Sequence, residues 1–201
     1  TGFSTMLDHT ISHDRATRFL SAREYSSKDL WQLVKPTMRT IETDDGVISF
    51  DDTIQEKAYT DENDIVAWHF DHRKSRHVKG INILNCTYHN DRGTVPISFD
   101  IVKKDVEVVD PKTNKKKRTT SVTKNELFRA QVNICLQNKL KFSYVLADIW
   151  FSSKENMEAV AESGKHFIFA IKSNRLVART RDDVRTGRFR QIQALELEER
   201  R

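Results

Sequence analysis

Apolar positions along the chain follow two periods, and the expected elements fall out of them. ISHDRATRFLSA sets Ile11, Ala16 and Leu20 near helical spacing. SSKDLWQLVKPTMRTIE opens on a serine cap and carries Leu30, Leu33 and Val34 before Pro36, where the helix is expected to be interrupted. Residues 46–52 read as a strand that climbs through Ile48 and Phe50 and ends on Asp51 and Asp52. Residues 55–77 are polar and show no period. GINILNCTYH (80–89) and TVPISFDIVKK (94–104) read as two strands joined by the turn HNDRG, and DPKTNKKKRTT follows as a basic loop. VTKNELFRAQVNICLQN predicts a helix, with Thr123 and Glu126 as a capping box. Leu127, Ala130 and Ile134 share its expected apolar face, widened by Val132 and Leu136. FSYVLAD (142–148) reads as a strand. SSKENMEAVAESG reads as a second boxed helix, with Ser152 at the cap, Glu155 at N3 and Gly164 as the stop. HFIFAIKS is a further strand, and VARTRDDVRTGRFRQIQALELEERR mixes its signals. Helices followed by β-β-β-α-β-α-β make a mixed α/β layer architecture.

A length of 201 residues allows one large domain, or one domain with a small companion. Lys and Arg number 34 against 29 Asp and Glu, a formal charge of +5. The pI near 9.2 suits a polyanionic partner without demanding one. Cys86 and Cys135 are the two cysteines, with no CxxC. That usage argues for a reducing, cytosolic compartment and against a disulfide scaffold. No apolar run approaches the roughly 18 to 20 residues that span a bilayer, and the start lacks the pattern of a signal peptide.

The adjacent acids at the end of the first strand invite a chemical reading. Side chains alternate along a strand, so Ile48, Phe50 and Asp52 share one face and Val47, Ser49 and Asp51 the other. A single site can therefore use only one of the two acids directly. In YVLAD, Tyr144, Leu146 and Asp148 share a face, and again an acid follows the apolar run. Ligands of open α/β sheets gather outside the carboxyl ends of strands. Two carboxylates there would suit Mg²⁺ or Mn²⁺, which prefer oxygen donors, and would suit phosphoryl transfer. An aspartate at a strand end is equally an ordinary turn former or helix cap.

ISFDDTIQEKAYTDENDIVAWHFDHRKSRHVKGINILNCTYH resembles the first catalytic block of DDE-type transposases from bacterial insertion sequences, of the insertion-sequence-four-like kind. VLADIWFSSKENMEAVAESGKHFIFAIKSNR resembles their second block, and ISHDRATRFLS with LWQLVKP resembles the helical region that precedes the core. The likeness covers nearly the whole chain, with three blocks in the expected order. It implies a ribonuclease-H-like mixed sheet with flanking helices over 45–201, incomplete at the carboxyl end. It also implies a helical candidate DNA-end-binding region over 1–44. Asp52 and Asp148 would be the first two acids, catalytic residues and ligands for Mg²⁺ or Mn²⁺. The implied activity is metal-dependent cleavage and strand transfer at the ends of an insertion sequence. The implied partner is double-stranded DNA, engaged by a homodimer without a membrane, in a bacterial cytoplasm at the nucleoid.

The third acid of the family is a glutamate in a Tyr-x2-Arg-x3-Glu-x6-Lys signature. Three residues after Tyr25, Tyr59, Tyr88 and Tyr144 stand Lys28, Glu62, Asp91 and Ala147, and none is arginine. The chain therefore reads as the amino-terminal part of a longer transposase, inactive alone. Glu155, Glu158, Glu196, Glu198 and Glu199 are stand-ins with nothing to favour one of them. Two alternatives follow: a DNA-binding remnant that does not cut, and another nuclease of the same fold.

Three basic stretches are expected to meet DNA phosphates: Arg73, Lys74, Arg76 and Lys79; Lys115, Lys116, Lys117 and Arg118; and Lys172 with Arg175. Their bland counterparts are a solvated loop, a hairpin tip and a strand exit. His69, His72 and His77 also allow a zinc site, which the lack of a cysteine partner weakens.

Overall fold

The computed structural model describes residues 2–71, 74–112 and 114–195. Three helices come first, α1 (Gly2–Met6), α2 (His13–Ser21) and α3 (Ser27–Ile41). The Ser12 hydroxyl accepts the Arg15 N–H at the start of α2, and the Asp29 carboxylate accepts the Ser26 N–H at 2.9 Å before α3. Pro36 does not interrupt α3. Pro36 and Gln32 are both exposed, so water can satisfy the carbonyl that loses its donor.

The sheet that follows holds β1 (Val47–Glu56), β2 (Ala67–Asp71), β3 (Arg76–Asn90), β4 (Gly93–Ile101), β7 (Tyr144–Ala147) and β8 (His166–Phe169). A hairpin of β5 (Val106–Val109) and β6 (Lys116–Thr119) stands apart from it. Then come α4 (Lys124–Gln137) between β6 and β7, and α5 (Lys154–Glu162) between β7 and β8. A small terminal unit of β9 (Leu176–Val177), α6 (Arg181–Arg185) and β10 (Arg190–Gln191) closes the described chain. The main sheet runs β2-β3-β1-β7-β8, with β4 also on β3. β1, β3 and β4 pair antiparallel, whereas β7 lies parallel to β1 and β8 parallel to β7. Four antiparallel strands, the two parallel strands β7 and β8, and the helices α4 and α5 form the expected ribonuclease-H-like mixed sheet with flanking helices. No helix among the described residues is long and apolar enough to cross a membrane.

Several local expectations give way. β1 does not stop at the two acids but continues to Glu56, because β3 keeps pairing with it as far as Gly80. The span 55–77 is not irregular throughout: AWHFD forms β2, held by β3. The basic loop is the β5–β6 hairpin. Ser152 does not cap α5; Ser153 does, accepting the Asn156 N–H at 3.2 Å. Ser152 instead donates to the Ile149 carbonyl at 2.9 Å. Gly164 does end that segment, with φ of 73° in the left-handed region.

The core lies on one face of the sheet, under α3, α4 and α5. Ile48, Phe50, Leu84, Cys86, Tyr88 and Val145 pack there with Trp31, Met38, Phe128, Val132 and Val160. The buried face of α4 is Phe128, Gln131, Val132 and Cys135, while Ala130 and Ile134 are exposed. The pattern misled because Gln131 is fully buried, its amide bonded to Asp100 at 2.7 Å and its carbonyl to Ser98 at 2.7 Å. The opposite sheet face is open at β7, where Tyr144 and Leu146 stay 36% and 41% exposed.

Candidate active site

β7 accompanies β1 for four residues, from Val47 against Tyr144 to Phe50 against Ala147. β7 then ends, and Asp148 caps a short 3-10 turn over Ile149–Phe151 while β1 runs on beside β3. The acids thus stand where two parallel strands part. A cavity of about 550 Å³ opens at that point, with Asp51, Asp52, Asp148, Trp150, Asp71 and Lys74 among its walls. Alternation alone would have separated the pair. Asp52 continues the buried face of Ile48 and Phe50, whereas Asp148 continues the exposed face of Tyr144 and Leu146. The turn after Ala147 brings both to one cavity.

Aromatic packing anchors this corner from behind. Phe128 of α4 contacts Phe50, two residues before Asp52, at 4.5 Å between centroids, and Phe151, three after Asp148, at 5.6 Å. Buried Asn156 adds polar fixing, donating to the Phe151 carbonyl at 2.9 Å and accepting from Arg129 at 2.8 Å.

The two acids have different surroundings. Oδ2 of Asp52 accepts from the Asn82 amide at 3.1 Å and from Lys124 Nζ at 2.9 Å. Asn82 is 3% exposed, and its buried Oδ1 finds no hydrogen-bond partner among the described residues. Asp148 accepts the Trp150 N–H at 2.9 Å. Burial lifts the Asp148 carboxyl above its usual range; the Trp150 bond opposes that, and the charges of Asp52 and then Asp51 add to it. Pattern reading missed Lys124, Asn82, Asp71 and Trp150. Lys124 did carry a signal, a cation in the first turn of a helix, where the helix dipole favours anions.

His69 and His77 do not converge. His69 faces the interior beside Val78, while His77 packs edge-on against Phe70 at 5.2 Å. Burial depresses His69 to about 4, helped by the charges of Lys104 and Lys124. Its Nε2 is buried and finds no hydrogen-bond partner among the described residues. His72 and Arg73 lie outside the described residues, as do Glu196, Glu198 and Glu199. Among the described residues no group of three or more His, Cys, Asp or Glu is arranged to hold a metal ion.

The basic residues are spread over several surfaces. Lys74 pairs with Glu56, and Arg76 reaches the same carboxylate at 3.6 Å. Lys79 lies half-buried on β3. Lys115 and Lys116 are exposed, Lys117 pairs with Asp110 at 2.8 Å, and Arg118 pairs with Asp64 and Glu107. Lys172 sits 4.9 Å over the Trp150 ring, and Arg175 donates to the Ser152 carbonyl. These last two line a second cavity of about 330 Å³ that shares Trp150 with the first. Glu155 and Glu158 are exposed on α5, Glu158 paired with Lys154 at 3.5 Å, and neither lines the acid cavity.

A profile described as "DDE superfamily endonuclease" matches residues 1–193. The chain belongs to the DDE superfamily endonucleases. Among solved structures the chain is similar to piggyBac transposase in a synaptic complex with hairpin DNA. Identity there is 13% and the TM-score 0.40, over 73% of this chain and 29% of that one. It is also similar to the Drosophila P element transposase in a strand transfer complex, at 9% identity and a TM-score of 0.22, over 82% and 42%. It therefore spans less than half the length of either protein. No curated protein sequence matches it.

The donor chemistry of this cavity fits a divalent cation. Asp52 and Asp148 offer hard oxygen atoms, and the mutual repulsion that helps raise Asp148 is what a cation between them would relieve.

Proposed function

We propose that this chain forms part of the catalytic core of a transposase that cleaves and joins DNA at the ends of a mobile element. The observation that carries this reading is the meeting of Asp52 and Asp148 at one cavity, in a chain of the DDE superfamily endonucleases. Asp52 and Asp148 hold divalent metal, Mg²⁺ or Mn²⁺, through carboxylate oxygens. Bound metal would supply an activated water and neutralise charge on the scissile phosphate. The chain's own groups set the geometry. Asn82 orients Asp52, and the Trp150 N–H orients Asp148. Lys172 and Arg175, beside the shared Trp150, bind backbone phosphates of the DNA. Lys74, Arg76, Lys79 and the hairpin cations Lys115, Lys116, Lys117 and Arg118 extend that contact, with two copies of the chain engaging paired ends.

The test uses the complete protein and a plasmid that carries the element's own ends. Asp52→Asn and Asp148→Asn should each abolish strand cleavage while DNA binding in a gel-shift assay stays near wild type. Cleavage that survives either substitution overturns the assignment. A wild-type protein that binds the ends but cuts nothing favours the DNA-binding remnant instead.

A further inference from the structure

The Asp52 carboxylate already has a cation against it. Lys124 Nζ lies 2.9 Å from Oδ2, and the two side chains are 35% and 16% exposed. This is a half-buried ion pair, with the partners 72 positions apart in sequence. Local helix chemistry does not explain the lysine. Lys124 is the first residue of α4, where the aligned peptide dipoles favour negative charge. That end is already served by the capping box: the Thr123 N–H donates to Glu126 at 2.7 Å, and the Glu126 N–H donates to Thr123 Oγ1 at 3.3 Å. An acid or neutral residue would suit α4 better. The lysine's partner is Asp52.

We propose that Lys124 is the resident counter-ion of Asp52 and couples metal loading to the arrival of DNA phosphate. This rests on the reading of Asp52 as a metal ligand. Asn82 and Lys124 both bind Oδ2, so the carboxylate is oriented and largely neutralised before any metal arrives. A divalent cation at Asp52 meets the repulsion of the ammonium a few ångströms away, in a partly desolvated corner where such repulsion is strong. The ammonium therefore holds down the affinity of the empty site. A phosphodiester entering the cavity changes the balance. It brings anionic oxygens that add to the metal's ligands, and it offers the flexible lysine a second anion. Lys124 can then swing from the carboxylate to the phosphate, and Asp52 is released to the metal. By linkage, the same lysine makes metal and DNA each strengthen the other's binding. Such coupling keeps a nuclease site poorly charged with metal until its substrate is in place.

The test is a Mn²⁺ titration of the full chain, read by water-proton relaxation, with and without a short DNA duplex of arbitrary sequence. Without DNA, Lys124→Met should bind Mn²⁺ on the order of tenfold tighter than wild type, and Lys124→Arg within about twofold of it. With the duplex present, wild type should tighten and the advantage of Lys124→Met should shrink to about twofold or less. Circular dichroism checks folding, and Lys124→Gln replaces the methionine variant should that one fail to fold. Equal or weaker Mn²⁺ binding by the neutral variant without DNA overturns the proposal. So does an advantage that the duplex leaves unchanged. Asp52→Asn separates the two levels of argument. If it binds Mn²⁺ as wild type does, or if no form of the protein binds it, the metal reading of Asp52 has failed rather than the coupling alone.

Discussion

The acid corner and the β5–β6 hairpin both concentrate charge, yet they are built in opposite ways. At the corner, Asp52 lies on β1 and Asp148 directly follows β7, and both are backed by Phe50, Phe128 and Phe151. Their positions follow from core packing. On the hairpin, Lys115, Lys116 and Lys117 are exposed, and the pairing partner of Lys117 is the neighbouring Asp110. Their positions follow from local turns and surface pairs, which contribute at most about 1 kcal/mol each. Charge held by a core keeps its geometry when a ligand comes or goes. Charge on a hairpin tip can follow a ligand but cannot define a reaction centre. Under the proposed function the first region would carry the chemistry and the second would attract a polyanion.

The sharpest way to break that contrast is to remove the packing behind the acids. Phe128→Ala should cost about 3–5 kcal/mol in urea unfolding, because the ring touches β1, β8 and the turn after Asp148 at once. A loss below 1 kcal/mol would mean that the corner does not depend on the core. His69 gives the next effect. Its folded value lies near 4 against an ordinary 6.5, so the native state binds fewer protons than the unfolded chain in that window. Stability should therefore fall as pH drops from about 6.5 towards 4. His69→Phe should flatten that slope in thermal melts, and an unaltered slope would contradict it.

Asp148 should behave in the reverse sense. Its folded value is raised above 3.8, so the protonated form is favoured by folding, and that stability fades as pH rises through the raised value. With chelator at neutral pH, Asp148→Asn should raise the melting temperature, because it keeps an acceptor for the Trp150 N–H without the repelled charge. The gain should vanish below pH 3.8. A lower melting temperature at neutral pH would show that the carboxylate is stabilising there. The smallest change belongs to the hairpin. Replacing Lys115, Lys116 and Lys117 with alanine should shift stability by less than about 0.5 kcal/mol. It should lower the slope of log DNA affinity against log salt by up to about 3. An unchanged slope would exclude these lysines from DNA contact.

Much of the framework was legible without coordinates. The paired strands around HNDRG, the Thr123–Glu126 box and the stop at Gly164 are local, because turn residues and cap hydrogen bonds lie within a few positions of one another. Elements that depend on a distant partner were not legible. AWHFD is a strand because β3 pairs with it, and β1 outlasts its apolar run for the same reason. The buried face of α4 escaped notice because Gln131 finds Ser98 and Asp100 on the sheet.

The same division runs through the site. Residue order by itself determined that Asp52 and Asp148 each follow an apolar run, and that Asp51 and Asp52 point apart, since alternation is a property of a single strand. Only the tertiary structure decided that Asp52 and Asp148 share a cavity. That meeting needs β7 to pair with β1 for four residues and then turn away, which neither segment encodes alone. The Lys124–Asp52 pair is of the same kind. A helix start and a strand became neighbours because α4 packs its Phe128 face onto the sheet, and no spacing along the chain could have announced it.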